Sequence, residues 1–225
     1  MWHRPALVSV CLLTLLAAEP VSRVWVTADP PTVQVRYFDP RNLPDPPPPL
    51  PQGLSACTQW ELTYQADIRW TVLGETRGND GHFARLRVDS IAIVLRAPIT
   101  IWLPNGASAR LKDHEDGHRA IVERHYAGAQ QAMEQAARKQ IGQVVVGSGP
   151  TVEAARQAAI DVVNRRLEDA HKTMVLEPAS AVSRIYDELT DHGRRLQPTA
   201  RQAVEMAFAR FAAGPATTRA AHPPR

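Results

Sequence analysis

The amino-acid sequence predicts an α+β protein in which a small antiparallel sheet is followed by a bundle of three to four helices. Apolar and polar residues alternate strictly from Trp60 to Trp70, which is typical of a strand with one buried face. After Gly106 the apolar residues instead recur with the period of an α-helix. The chain of 225 residues is long enough for one domain with a substantial core.

The composition is ordinary for a globular protein, with 44% hydrophobic and 22% charged residues. The 26 basic and 23 acidic residues give a formal net charge of +3, and they are spread along the chain without a dense block of lysine or arginine. We therefore expect no binding to nucleic acid.

Residues 1–18 are typical of an export signal, because Arg4 precedes an apolar run over residues 6–18. The run is short for a membrane span, so we expect cleavage, a periplasmic or secreted product and no stable membrane insertion. An uncleaved membrane anchor is the alternative. Cleavage would remove Cys11 and leave Cys57 as the only cysteine, which excludes an intramolecular disulfide.

The remaining chain divides into three parts by composition. Residues 19–52 form a proline-rich N-terminal segment with one strand, at residues 32–38. Residues 53–213 form the main domain, and residues 214–225 form a disordered tail.

Within the main domain, the strands should precede the helices. Turn residues are expected at residues 74–81, and β-rich runs at residues 83–88 and 91–103. Residues 147–150 should break the chain between the first two helices. The helices are expected at residues 107–140, between Thr151 and Pro178, at residues 179–191 with Gly193 as a cap, and at residues 199–213.

The first of these helices contains HEDGH, in which His114, Glu115 and His118 form the pattern HExxH. At 100° per residue both histidines lie in the apolar stripe one turn apart, so both imidazoles can bind one Zn²⁺. Glu115 then lies beside the metal as a general base for a zinc-bound water. Glycine inside a helix is destabilising by roughly 1 kcal/mol relative to alanine. Close approach of a neighbouring element would explain why glycine stands at position 117. The alternative is an amphipathic helix with an accidental motif.

A zinc site in a hydrolase normally needs a third protein ligand and leaves a fourth position to water. His125 lies about 10 Å from His118 along the helix, so we interpret it as a histidine that packs in the core or supports the site without binding the metal. The candidates further along the chain are Glu153, Asp161, Glu168, His171, Asp187 and His192.

The segment YDELTDHG, at residues 186–193, is the richest local cluster of site chemistry. On a helical projection Tyr186 and His192 share the inward side, whereas Asp187 leans outward. We therefore expect His192 as the third ligand and Tyr186 as a hydrogen-bond donor to a developing oxyanion. Asp187 is the reserve ligand, or a carboxylate that orients a histidine. The alternative is a polar helix end without a site.

An HExxH helix after a short sheet, followed about 70 residues later by YDxxTxHG, resembles the bacterial family of predicted secreted zinc-dependent proteases, also classed as a domain of unknown function. The resemblance covers roughly residues 32–193 and implies an exported protein with a zinc site. Its two motifs are matched by His114, Glu115 and His118, and by Tyr186, Asp187, Thr190, His192 and Gly193.

The residues and the resemblance together favour an exported zinc-dependent metallohydrolase with a zincin-like HExxH helix. A metallopeptidase that acts on a peptide or protein substrate is the leading hypothesis. Two alternatives stay open: a non-catalytic zinc-binding or partner-binding protein of the cell envelope, and a zinc amidase that acts on cell-wall peptides.

Overall fold

The computed structural model describes residues 23–43, 50 and 53–214. The signal predicted at residues 1–18 lies outside them, and so does the predicted tail except for Gly214. Within this part of the chain the fold is mixed α and β, so the expected α+β class is confirmed. Among the described helices, none is long and apolar enough to cross a membrane.

The described residues form seven strands, four α-helices and one π-helical turn. The strands are β1 (Val24–Ala28), β2 (Thr32–Phe38), β3 (Cys57–Trp60), β4 (Thr63–Gly78), β5 (Gly81–Arg96), β6 (Pro98–Pro104) and β7 (Val144–Gly149). The helices are α1 (Ala109–Arg138), α2 (Val152–His171), α3 (Glu177–Thr190) and α4 (Ala200–Ala212). The π-helical turn, Lys172–Leu176, joins α2 to α3.

The larger sheet has β5 at its centre. β4 and β5 form a long antiparallel hairpin, whereas β1 and β7 share the other edge of β5. The alternation predicted from Trp60 to Trp70 is present from Leu62, which lies just before β4, to Ile68 within β4, and both of these residues are buried. It does not extend to Trp70, which is exposed. The β5 residues that face the core are Ala84, Leu86, Val88, Ile91, Ile93 and Leu95.

The smaller sheet has β6 between β2 and β3. β2 runs parallel to β6, as β1 does to β5, so the expectation of a purely antiparallel sheet is wrong. Only Ala97 separates β5 from β6, and residues 29–31 separate β1 from β2, so both strand pairs continue from one sheet into the other. The first parallel pair joins Val24 to Ile91, a separation that local alternation cannot reveal.

Three local predictions also differ from the structure. The segment 19–52 contains two strands, β1 and β2, rather than one. Residues 74–78 continue β4, so the turn is confined to two residues. Residues 147–149 end β7 instead of breaking the chain, and a Cβ on Gly147 would lie 2.2 Å from the carbonyl oxygen of Ala155. Glycine therefore lets β7 pack directly on α2.

The helix α1 connects the two sheets to the C-terminal helices. Its N-cap is Ser108, whose hydroxyl accepts a hydrogen bond from the N–H of Leu111. Its apolar stripe packs on the larger sheet through Val122, Ala129 and Met133. Nearer its N-terminus, α3 and α4 pack against α1 around Ile121, Tyr186, Val182 and Ala203. The HExxH motif therefore lies where α1 contacts α3.

Candidate metal centre

His114 and His118 lie one turn apart within the first three turns of α1. Their rings are arranged edge to face, with centroids 4.9 Å apart. His114 is buried and His118 is half-buried. Both rings contact side chains of α3, so the inward orientation expected from the phase of the motif is confirmed.

Asp187, on α3, faces both histidines. Its Oδ1 atom lies 3.4 Å from His114 Nε2 and 3.1 Å from His118 Nε2. One ligand atom from each of the three residues lies within 4.8 Å of the other two. Two imidazole nitrogens and a carboxylate oxygen this close together could hold one metal ion.

A hydroxyl group lies beside the second nitrogen of each ring. His114 Nδ1 is 3.4 Å from Thr190 Oγ1, and His118 Nδ1 is 3.4 Å from Ser183 Oγ. Thr190 donates its own proton to the carbonyl oxygen of Tyr186 at 2.8 Å, so it can only accept from His114. An Nδ1 proton on His114 would find its acceptor there, and Nε2, which faces Asp187, is the nitrogen in position to bind a cation.

The Asp187 carboxyl is ionised at neutral pH. Burial alone would raise its pKa, but hydrogen bonds with His114 and His118 outweigh that effect and hold the pKa well below its usual range. An anionic oxygen that faces two imidazole nitrogens is stabilised by positive charge between them, either as protons or as a metal ion. The donor set therefore fits a divalent cation.

Tyr186 packs beneath the two histidines and is fully buried. Its ring stacks on His114 at a centroid distance of 5.1 Å, and its hydroxyl donates to the carbonyl oxygen of His114 at 3.1 Å. Burial, together with the charges of Asp187 and Glu115, raises the pKa of the phenol. The hydroxyl is thus engaged with the backbone of α1, which differs from the expected placement of Tyr186 as a donor to a substrate oxyanion.

Two glycines allow this close packing. A Cβ on Gly117 would lie 2.2 Å from the hydroxyl oxygen of Tyr186, which is the close approach that a helical glycine suggested. A Cβ on Gly193, where φ is +75°, would lie 2.9 Å from His114 Cγ. Glycine at both positions therefore lets α3 and the turn after it lie against the first turns of α1.

Glu115 belongs to α1, and its side chain is directed towards the edge strand β3. The residue is only 3% exposed. The hydroxyl of Thr58, on β3, is 2.8 Å from Glu115 Oε2 and 3.0 Å from the main-chain oxygen of Glu115. Burial and the charge of Glu115 raise the pKa of the neighbouring Cys57 thiol to about 11. Cys57 is therefore a protonated thiol at neutral pH and is unsuited to nucleophilic attack.

Two adjoining clefts lead to the cluster. One cleft, of about 210 Å³, is lined by side chains that include Cys57, Thr58, Ser183 and Asp187. The other, of about 240 Å³, is lined by side chains that include Ser108, Arg110, His192 and Arg194. Both clefts are also lined by His114 and Glu115, so both border the motif.

His192 lies beside the three-residue group. Its Nδ1 atom is 3.4 Å from Asp187 Oδ1, and its side chain is 43% exposed. The helix α3 ends at Thr190, and Asp191 and His192 have φ values of +48° and +51°. Because the chain leaves the helix there, the projection that turned His192 inward does not apply to it. The same projection turned Asp187 outward, which is wrong, since its carboxylate lies at the centre of the cluster.

Comparisons of the chain with models of protein families, with curated proteins and with solved structures found no significant match.

The other candidate residues lie outside the cluster. His171, at the end of α2, contacts the ring of Tyr64 with centroids 4.9 Å apart. His125 stacks on Phe208 at 5.0 Å, which confirms its interpretation as a packed histidine. The three acidic candidates on α2 are Glu153, Asp161 and Glu168. None of them belongs to the potential metal-binding group found among the described residues.

Sequence reasoning missed the hydroxyl groups of Ser183 and Thr58. Ser183 could have been found, because Ser183, Tyr186, Asp187 and Thr190 have the spacing of one helical face. Thr58 carries no such signal, since it lies 57 residues before Glu115 and belongs to the strand β3, whereas Glu115 belongs to α1.

Proposed function

We propose that the protein is an exported zinc-dependent metallohydrolase, and specifically a metallopeptidase with a zincin-like HExxH helix. The convergence of His114, His118 and Asp187 beside the buried carboxylate of Glu115 carries this proposal. Two imidazoles and one carboxylate are a ligand set that zinc hydrolases use, and they leave a further position for water. The apolar N-terminal run at residues 6–18 supports export.

In this proposal His114, His118 and Asp187 hold the metal. A zinc ion bound there supplies Lewis acidity that lowers the pKa of a bound water towards about 7. His192 is the alternative third ligand because it lies 3.4 Å from Asp187, which would then orient it.

Glu115 is the proposed general base. It follows His114 directly on α1 and lines the same cleft as His118 and Asp187, which supports this role. It would accept a proton from the attacking water and return a proton to the leaving amine. The two clefts that Glu115 lines are the proposed binding site for a peptide or protein substrate.

Metal content is the direct test of the ligand set. We expect about one zinc per chain in the purified wild-type protein and in the control His125→Ala, and loss of zinc in His114→Ala. Loss in Asp187→Asn with retention in His192→Ala would establish Asp187 as the third ligand, and the reverse would establish His192. Elemental analysis of all variants gives the result. A wild-type protein without zinc under metal-replete conditions would overturn the proposal.

The proposed chemistry is tested with Glu115→Gln. The variant should retain zinc and lose about 10²–10⁴-fold in the rate of peptide hydrolysis, because proton transfer is removed. Glu123→Gln, on the same helix and paired with Arg119, is the matched control and should retain activity. An unfolded protein and isolated cell-wall peptides are the two substrates. Hydrolysis of the cell-wall peptides alone would indicate an amidase, and bound zinc without hydrolysis would indicate a non-catalytic protein.

A further inference from the structure

We propose that Thr58 is a positioning residue of this site, whose hydroxyl fixes the Glu115 carboxylate in the orientation that proton transfer requires. The inference rests on the proposed function, in which Glu115 is the general base. The contact between Thr58 and Glu115 is itself independent of any activity.

The hydroxyl of Thr58 reaches two atoms of one residue. It lies 2.8 Å from Glu115 Oε2 and 3.0 Å from the main-chain oxygen of Glu115. A threonine hydroxyl has one proton, so it donates to one of these oxygens at a time. Either bond holds Glu115, and the bond to Oε2 does not engage Oε1, which is the proposed acceptor of the proton from water.

The Thr58 hydroxyl donates a hydrogen bond to the Glu115 carboxylate at 2.8 Å. Because Glu115 is 3% exposed, solvent can do little to replace that donor. A buried carboxylate that loses its partner keeps the full desolvation cost and is free to rotate. Thr58 is therefore needed for the orientation of the carboxylate as well as for its stability.

The two residues are held by different parts of the fold. Glu115 belongs to α1, whereas Thr58 belongs to β3 and pairs with Ile101 of β6. The smaller sheet thus fixes the donor independently of the helix that carries the base and the two histidines. Catalytic groups lose much of their effect when they are displaced by about 1 Å, so a second anchor for the carboxylate has a direct chemical use.

The kinetic test compares Thr58→Val with Thr58→Ser. We expect Thr58→Val to lower kcat by about ten- to a hundredfold with KM changed less than about threefold and zinc content unchanged. Thr58→Ser should retain most of the activity because it keeps the hydroxyl. The matched control is Thr100→Val in the same sheet, which should behave as wild type. In the Glu115→Gln background, Thr58→Val should cause no further loss, and an equal loss in both backgrounds would overturn the inference.

A second measurement requires no activity. Thermal unfolding of the metal-free protein is compared for Thr58→Val in the wild-type and Glu115→Ala backgrounds. We expect a larger fall in Tm when Glu115 is present, since only then does the substitution remove a hydrogen bond from a buried carboxylate. Equal falls would overturn the contact. A larger fall in Tm in the presence of Glu115 would support the contact between Thr58 and Glu115 whether or not the protein is active. If the protein also showed no hydrolysis, the proposed function and the role of Thr58 in turnover would be overturned.

Discussion

Gly117 illustrates at the scale of one residue how the site is assembled. Inside a helix, Gly→Ala substitution usually stabilises by up to about 1 kcal/mol. At Gly117 the added Cβ would lie 2.2 Å from the hydroxyl oxygen and 2.5 Å from Cζ of Tyr186. We expect Gly117→Ala to reduce the free energy of unfolding by about 1–3 kcal/mol, because the clash outweighs the gain in propensity. Chemical denaturation measures the change.

Gly128 provides the matched control on the same helix. A Cβ at Gly128 would meet no atom within 4 Å, so Gly128→Ala should stabilise the protein by up to about 1 kcal/mol. Stabilisation by both substitutions would contradict the close packing of Tyr186 on α1.

At the scale of elements, Tyr186 joins α3 to α1 through its ring and its hydroxyl. We expect Tyr186→Phe to cost about 1 kcal/mol in the free energy of unfolding, since one buried hydrogen bond is lost while the ring packing is kept. Hydrolysis by the zinc-loaded variant should fall by less than about threefold. A fall of about 10²–10³-fold in kcat with unchanged stability would instead support the role of Tyr186 as an oxyanion donor.

At the scale of the whole molecule, the buried His171 makes stability depend on pH. Burial lowers the pKa of His171 in the folded protein, because the charged imidazole loses its hydration. The unfolded chain therefore takes up the proton at a higher pH than the folded chain, and acid favours unfolding. The loss begins as the pH falls through about 6.5, the ordinary pKa of histidine, and continues down to the folded pKa.

The variant His171→Met tests this contribution. Denaturation of the metal-free protein between pH 7.5 and about 5 should show a smaller dependence on pH for His171→Met than for wild type. The two slopes should differ by at most about 1.4 kcal/mol per pH unit, the value for one proton. Identical slopes would show that His171 is not buried as a neutral side chain.

Local patterns in the sequence determined several features of the molecule. The alternation around Leu62 and Ile68 predicts a half-buried strand, and the phase of His114 and His118 predicts two histidines on the inner face of one helix. Both patterns arise from the repeat of a single element, so they can be read from neighbouring residues alone.

The tertiary structure alone decided how those elements meet. Three contacts join residues that are far apart in the chain: the parallel pairing of β1 with β5, the antiparallel pairing of β7 with β5, and the hydrogen bond of Thr58 with Glu115. The three-residue group contains Asp187 and not His192. The helix α3 ends at Thr190, and Asp191 and His192 adopt the left-handed backbone conformation, so His192 does not continue the face of the helix. A local repeat specifies which face of an element is buried, whereas packing between elements specifies which side chains on those faces converge.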